Sequence, residues 1–393
     1  MAIQPGSARH GEDMPAHGSA RFGECPSRGV SPGVSPGVDG RGLVEVRSST
    51  MAETVNREFR LRRRPVGRIA PDDFELVRAP VPKAGPGEAV VRNLYLSLDP
   101  TNRIWVEDVE QYMPPVKLGE VMRGSGLGQV IESNDPALPP GTIVNGLLGW
   151  QDYAVLGGAR GVMAQAVPAG LPVPLPTLLG ALGVTGITAY FGLLDIGQPR
   201  AGETVVVSAA AGATGSVVGQ IARIKGCRVV GIAGGPEKCG WITRELGFDA
   251  AVDYKAPDWR NRLRAATPGG VDLDFENVGG EIMDEVMARM NLGGRVVLCG
   301  MISGYNEGKP MHGRFDTILT KRLRVQGFIV IDYLPRFAEA ITQLAQWMGE
   351  GKLKHRDTIV DWLERAPEAL NLLFDGGNVG KLIVKIADPP LKL

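Results

Sequence analysis

The sequence has few of the features that mark a secreted, membrane-bound or nucleic-acid-binding protein. Its 393 residues include only four cysteines, and no two of these form a Cys-x-x-Cys pair. This scarcity argues against a disulfide framework or a thiolate metal cluster and favours a reducing, cytoplasmic setting. The 43 basic and 43 acidic residues cancel, so no net field would attract the protein to nucleic acid or to an anionic membrane.

Long apolar runs are also scarce. Two stretches lack charge, residues 161–194 and 205–222, but the first is interrupted by prolines and the second is rich in Gly, Ser and Thr. Both are therefore typical of buried core elements rather than of bilayer spans. We expect no transmembrane segment and no nucleic-acid partner.

The first 50 residues differ in composition from the rest. Residues 1–50 are rich in Gly, Pro, Ser and Arg and repeat Ser-Pro-Gly-Val at 31–34 and 35–38. Such a segment cannot bury enough apolar surface to offset its conformational entropy, so we predict a disordered tail. Met51 is a plausible start for a shorter protein.

Two patterns follow the tail. From about residue 56 to 175, alternating runs such as Glu88–Leu98 and Gly126–Glu132 are separated by prolines, which predicts a β-rich domain. Beyond residue 176, strands alternate with helices, which is typical of an α/β fold with a parallel sheet. The predicted strands are Thr204–Ser208, Arg228–Ala233, Ala251–Asp253, Leu273–Glu276, Val296–Gly300, Leu323–Ile329 and Gly380–Ile386, the last returning to the first domain. The predicted helices are Gly215–Ile224, Glu237–Leu246, Glu281–Met290, Arg336–Glu350 and Pro367–Phe374.

A glycine-rich turn is the strongest local signal. The apolar strand at 204–208 runs into Ala210-x-Gly212-x-x-Gly215, a variant of the dinucleotide-binding fingerprint with alanine at its first position. Gly212 would let the backbone approach a pyrophosphate, and Gly215 would let the helix pack against the strand. With Ala213 and Thr214 between them, they open a helix whose free N–H groups suit phosphates. A glycine turn without a ligand is the alternative.

The end of the second strand indicates which dinucleotide binds. Residues 229–238 contain no acid where an NAD enzyme would hold the ribose 2′-hydroxyl, and they lead into Lys238. Small residues followed by a lysine would admit a 2′-phosphate, although a lone lysine is more often a solvated helix residue. Tyr254, at the end of the third strand, is a second candidate for this phosphate. We therefore predict NADP(H).

Several motifs resemble one family of reductases. The chain from about Arg57 to Val384 is similar to the zinc-independent medium-chain dehydrogenases/reductases. These include leukotriene B4 12-hydroxydehydrogenase/prostaglandin reductase, plant alkenal double-bond reductases and bacterial curcumin reductase. The matching motifs are Leu94–Pro100, Gly183–Leu193, Ala209–Gly219, Phe275–Gly280 and Cys299–Asn306.

The resemblance implies two domains and a homodimer. A GroES-like catalytic domain would span residues 51–180, completed by 361–393, and a doubly wound Rossmann domain would span 181–360, with NADPH in the cleft between them.

The resemblance also assigns site residues. Gly212, Gly215, Lys238 and Tyr254 resemble the family's phosphate contacts. Tyr305 resembles the family tyrosine at the substrate and the nicotinamide ribose. The residues that resemble contacts to the nicotinamide end are Asn277 and, more loosely, Phe328, Ile329 and Asn378.

One departure from the family concerns the substrate end. Family members usually continue Asp-Pro with Tyr-Met-Arg, whereas here Asp99-Pro100 is followed by Thr101 and Asn102, so a tyrosine near the pocket is missing. Tyr112, on the following loop, is a candidate to supply a hydroxyl in its place.

The chemistry expected is reduction without a metal. No cysteine or histidine occurs between residues 51 and 180, so we expect no catalytic zinc, and hydrogen bonds must polarise the substrate carbonyl. For an α,β-unsaturated ketone or aldehyde, hydride would add to the β-carbon while Tyr305 stabilises charge on the oxygen. A tyrosine or water would then protonate the α-carbon. The alternatives are a quinone reductase, an alcohol or ketone dehydrogenase, and a non-catalytic NADPH-binding protein.

Overall fold

The computed structural model of the protein describes residues 55–158, 164–307 and 313–392. The tail predicted for residues 1–50 and the alternative start at Met51 lie outside these residues. Within them, no helix combines the length and the apolar character needed to cross a membrane.

The strands and helices are numbered in chain order. The strands are β1 (Val55–Leu61), β2 (Phe74–Pro80), β3 (Glu88–Leu98), β4 (Gly126–Ser133), β5 (Ile143–Gly146), β6 (Tyr153–Gly157), β7 (Ala164–Ala166), β8 (Thr204–Val207), β9 (Arg228–Ala233), β10 (Ala250–Asp253), β11 (Val271–Glu276), β12 (Met290–Leu298), β13 (Arg324–Gly327), β14 (Asp357–Asp361) and β15 (Lys381–Lys385). The α-helices are α1 (Thr101–Ile104), α2 (Val184–Phe191), α3 (Ala213–Ile224), α4 (Pro236–Arg244), α5 (Trp259–Ala266), α6 (Gly280–Arg289), α7 (Phe315–Lys321), α8 (Phe337–Gly349), α9 (Ala366–Leu370) and α10 (Leu372–Asp375). Short helical turns lie at Pro71–Asp73, Leu175–Leu178, Gly192–Gly197, Ile302–Gly304, Val330–Arg336 and Leu363–Arg365.

Six parallel strands form the nucleotide-binding half. Their order is β10-β9-β8-β11-β12-β13, so the chain reverses its direction of travel across the sheet between β8 and β11. Val205, Val206 and Val207 of β8 are fully buried because helices cover both faces of the sheet. In such sheets, ligands bind beyond the carboxyl ends of the strands at the reversal point.

A sheet of seven strands forms the other half, and its pairs are antiparallel except that β14 lies parallel to β15. Its path is β14-β15-β3-β4-β5-β7, and β6 pairs with β3. Strand β15 lies antiparallel to β3, which confirms that the last strand returns to the first part of the chain. Together the two sheets confirm the predicted class, a Rossmann sheet with a β-rich GroES-like partner.

The structure corrects some element bounds. The strand predicted to reach Ile329 ends at Gly327, and the helix predicted at 367–374 is split into α9 and α10. At the split, the Asn371 side chain donates a hydrogen bond to the carbonyl of Ile69 (2.9 Å). Helix α5 was not predicted from the sequence. It buries only Trp259 and Leu263, and two apolar positions are too few to show a clear helical period.

Candidate active site

The glycine turn is built as the fingerprint requires. Gly212 caps α3, so the first N–H groups of this helix have no partner inside the helix. A Cβ at Gly215 would lie only 2.5 Å from the carbonyl oxygen of Ala209, and a Cβ at Gly212 would lie 3.1 Å from the same atom. Side chains there would push α3 away from the turn, so these glycines keep the helix N-terminus close to β8, where it fits a pyrophosphate.

Three polar side chains converge beside the turn that follows α10. A Cβ at Gly376 would lie 3.7 Å from Lys238 Nζ, 3.7 Å from the Tyr254 hydroxyl and 3.9 Å from Lys255 Nζ. Lys238 Nζ donates a hydrogen bond to the Gly376 carbonyl (2.9 Å). Burial, and then the charge of Lys255, lower the pKa of Lys238. Within the described ranges neither ammonium group forms a salt bridge, and two such groups held together suit a phosphate dianion.

Two carboxylates lie near this cluster: Glu237 acts on the charge of Lys238, and Asp253 bonds to the backbone. Asp253 Oδ1 accepts hydrogen bonds from the backbone N–H groups of Gly235 (2.8 Å) and Lys255 (3.0 Å). Asp253 therefore holds the loop after β10, and it is not among the charges that act on Lys238. Lys255 was not among the predicted residues, although its position directly after Tyr254 was a signal for it.

Asn277 joins the ends of β8 and β11. Its side-chain amide donates to the carbonyl of Ser208 (2.7 Å), and its backbone N–H donates to the Ser208 hydroxyl (2.7 Å). That hydroxyl donates to the buried Glu276 carboxylate (2.6 Å). Burial raises the pKa of Glu276 and that of its neighbour Asp274. The predicted nicotinamide contact of Asn277 stays a prediction, and this network fixes where the residue lies.

Tyr305 follows the carboxyl end of β12, one strand further along the sheet. Its hydroxyl accepts a hydrogen bond from the N–H of Met301 (3.1 Å). Burial raises the pKa of Tyr305, and Cys299 and Tyr112 add smaller effects in the same direction. The phenol is therefore neutral at physiological pH and can donate its proton to a carbonyl oxygen.

Tyr112 and Thr101 lie together on the catalytic side. The Trp105 indole donates a hydrogen bond to the Tyr112 hydroxyl (2.9 Å), and the hydroxyl of Thr101 bonds to the same oxygen. Thr101, which departs from the family pattern, thus contacts Tyr112, the residue predicted to supply the missing hydroxyl. Tyr112 acts electrostatically on Tyr305, which indicates that the two phenols lie in the same part of the site.

Three further predicted residues lie around this edge. Asn378 is buried and donates to the carbonyl of Gly380 (2.9 Å), whose own N–H donates to Ala211 in the glycine turn (2.8 Å). Phe328 packs close to Gly192 and edge-on to Tyr333, and Ile329 is half-buried beside it. Their predicted contacts with the nicotinamide end stay predictions.

No metal centre is visible in the part of the chain that the structure describes. Within those residues, no group of three or more His, Cys, Asp or Glu side chains could hold a metal ion.

Comparisons with known proteins identify the family. A family model described as the N-terminal domain of oxidoreductase matches residues 57–164, and one described as zinc-binding dehydrogenase matches residues 213–348. NADPH-dependent curcumin reductase of Escherichia coli is 44% identical over 84% of this chain and 97% of that protein. The chain belongs to the medium-chain dehydrogenase/reductase family. Prostaglandin reductase 1 of Rattus norvegicus is 41% identical over 80% of this chain and 94% of that protein.

A solved structure agrees with this assignment. CurA from Vibrio vulnificus, solved in complex with NADPH, matches this medium-chain reductase with a TM-score of 0.81 and 42% identity, over 85% of this chain and 100% of that one. The fold and family implied by the motifs are therefore confirmed.

Proposed function

We propose that this medium-chain reductase uses NADPH to reduce the carbon–carbon double bond of α,β-unsaturated ketones and aldehydes without a metal. The main supporting observation is the pairing of a cationic cluster at one end of the site with two phenols at the other. Lys238, Tyr254 and Lys255 surround a position that suits a 2′-phosphate. The named activities of the curcumin and prostaglandin reductases support the same reaction.

The glycine turn and the phosphate cluster would fix the cofactor. Gly212, Ala213, Thr214 and Gly215 would hold the pyrophosphate, since the first N–H groups of α3 have no partner inside the helix and Gly212 carries no side chain. Asn277, Phe328, Ile329 and Asn378 would line the nicotinamide end. Bound NADPH supplies the hydride that reaches the substrate β-carbon.

Two tyrosines would manage charge and protons. Tyr305 would donate a hydrogen bond to the carbonyl oxygen, on which negative charge grows as the double bond is reduced. Tyr112 would deliver the proton to the α-carbon, because it is 37% exposed and its hydroxyl can regain a proton from water. Thr101 and Trp105 would hold that hydroxyl in position.

The reaction can be tested with three acceptors in parallel. Purified protein is incubated with NADPH and a trans-2-alkenal, a quinone or a saturated ketone, and the products are identified by mass spectrometry. We expect the saturated aldehyde from the alkenal and little turnover of the ketone. Consumption of the quinone or the ketone alone would favour the corresponding alternative enzyme. Binding of NADPH without turnover of any acceptor would indicate a non-catalytic protein.

We also propose a cytoplasmic homodimer. Strand β13 lies at one edge of the six-stranded sheet and is largely exposed, and helix α7 near it exposes Phe315 (75%) and Leu319 (77%). An open strand edge beside exposed apolar side chains suits pairing with a second copy. Light scattering should give twice the chain mass, and Phe315→Asp with Leu319→Asp should give the monomer. Fractionation of cells that contain the protein tests the cytoplasmic location, and the protein should be recovered in the cytoplasmic fraction.

A further inference from the structure

The guanidinium of Arg123 lies near the Tyr112 hydroxyl, and both groups contact the Trp105 ring. Arg123 Nη1 donates one hydrogen bond to the carbonyl of Pro114 (2.8 Å). Among the described residues, Arg123 forms no salt bridge, and Glu120 acts on it only at longer range. Burial lowers the pKa of Arg123, and the residue still stays charged. Because a guanidinium has five N–H donors, most of its binding capacity is left over.

The backbone at Arg123 is held firmly. The N–H of the preceding Met122 donates to the carbonyl of Phe59 (2.7 Å), and the Met122 carbonyl accepts from Trp150 (2.8 Å). The carbonyl of Arg123 itself accepts a hydrogen bond from the Asn102 side chain (3.3 Å). The fixed backbone, the hydrogen bond to Pro114 and the contact with the Trp105 ring reduce the conformational entropy that the side chain loses when it binds an anion.

One indole joins the guanidinium to the proposed catalytic end. The Arg123 guanidinium carbon lies 5.5 Å from the centroid of the Trp105 ring, and the Nε1 of that ring donates to the Tyr112 hydroxyl (2.9 Å). Trp105 is only 6% exposed, so its orientation is set by packing. The cation and the hydroxyl therefore flank one fixed ring, and the electrostatic effect of Tyr112 on Arg123 agrees with their closeness.

We propose that Arg123 is a specificity-determining residue that binds a carboxylate of the substrate, so that the preferred substrates are enones or enals carrying a carboxylate. This inference rests on the proposed function, because it places the conjugated carbonyl near Tyr112 and Tyr305. The planar guanidinium can form two parallel hydrogen bonds to a carboxylate, and partial burial strengthens them. Arg123 is required only to bind this carboxylate, and it takes no part in the steps that make or break bonds.

Turnover of matched acids and esters tests the proposal. Aliphatic enones that end in a carboxylate, with chains of different length, are compared with their methyl esters. The wild-type protein should favour the best acid over its ester by about ten- to a hundredfold in kcat/KM, the usual range for a charge-assisted hydrogen bond. In Arg123→Gln that ratio should fall to about one, and in Arg123→Lys it should be intermediate. The ratio is taken within each variant, so a general loss of activity cancels.

A binding measurement separates this inference from the reaction itself. Calorimetry on the complex with oxidised cofactor compares a saturated keto acid with its methyl ester, and the acid should bind about tenfold more tightly only when Arg123 is present. The exposed Arg78 gives the control Arg78→Gln, which should keep the preference.

The outcomes are distinct. Preferential binding of the acid without turnover of any enone would disprove the proposed reaction and leave the role of Arg123 standing. Equal treatment of acid and ester by the wild-type protein would overturn the role of Arg123 and leave the reaction standing. Loss of NADPH affinity in Arg123→Gln, with the acid preference intact, would also overturn it.

Discussion

The two ends of the site are assembled in different ways. At the phosphate end, Lys238 follows β9, and Tyr254 and Lys255 follow β10, so neighbouring parallel strands deliver them to one edge. At the substrate end, Thr101 and Tyr112 come from a short helix and an irregular loop, and they meet through side-chain hydrogen bonds. A parallel sheet fixes where its carboxyl ends lie, whereas a loop is positioned only by its contacts.

The largest expected effect is at the phosphate end. Lys238→Ala combined with Lys255→Ala should raise the KM for NADPH by about a hundredfold, since each change removes a charge-assisted hydrogen bond. The KM for NADH, which has no 2′-phosphate, should change little. Steady-state kinetics with both cofactors measures this, with Lys225→Ala, an exposed lysine after α3, as the control. Equal effects on the two cofactors would remove both lysines from the phosphate site.

Tyr305→Phe should have the next largest effect, now at the substrate end. Loss of the phenol should lower kcat for an alkenal by roughly thirtyfold, somewhat less than loss of a sole oxyanion donor, because other hydroxyls remain. The dissociation constant of NADPH, measured by fluorescence quenching, should stay nearly the same. Tyr153→Phe, on β6, is the matched control.

The pH profile of the wild-type protein provides a second test of Tyr305. Because burial raises its pKa, the phenol keeps its proton as the pH rises, and turnover should not fall on its account below about pH 10, the ordinary value for tyrosine. An alkaline limb in kcat near pH 8 that disappears in Tyr305→Phe would contradict this environment.

A smaller effect is expected where the sequence departs from the family. Tyr112→Phe should lower kcat by about fivefold to tenfold, the low end for a lost proton donor that water can replace in part. Thr101→Val, which keeps the shape but removes the hydroxyl that bonds to Tyr112, should lower kcat by about twofold to threefold through the position of Tyr112 alone. If Thr101→Val lowers kcat more than Tyr112→Phe does, Thr101 acts directly.

The smallest effect concerns three thiols: Cys239 beside Lys238, Cys299 after β12, and Cys227 at the opposite, amino end of β9. Burial raises the pKa of Cys227 to about 11 and that of Cys299 to about 12, and it also raises the pKa of Cys239. Thiolates react with electrophilic enones and neutral thiols do so slowly, so these three residues should resist alkylation at neutral pH. Mass spectrometry after treatment with N-ethylmaleimide should find them unmodified in the folded protein and modified after unfolding. Rapid alkylation of Cys299 in the folded protein would show that it is accessible.

Prediction from the sequence succeeded where function depends on neighbours in the chain. The strand, glycine turn and helix around Gly212 and Gly215 were located within a few residues, because that motif is contiguous. The parallel sheet was predicted from the alternation of strands and helices, whereas the order of its strands came from the structure. Ser208 and Glu276 were missed, since their hydrogen bond joins residues 68 positions apart and leaves no periodic pattern.

The sequence alone determined the class of fold and, through the absence of an acid at the end of β9, the preference for a nucleotide with a 2′-phosphate. Both follow from residues that are neighbours in the chain: the alternation of strands and helices gives the fold class, and the small residues at the end of β9 leave room for the 2′-phosphate. The tertiary structure decided which groups meet: Lys238 bonds to a carbonyl 138 positions away, and Arg123 lies over the indole that holds Tyr112. Such contacts depend on how two sheets and a loop pack together. The spacing of residues along the chain does not predict that packing.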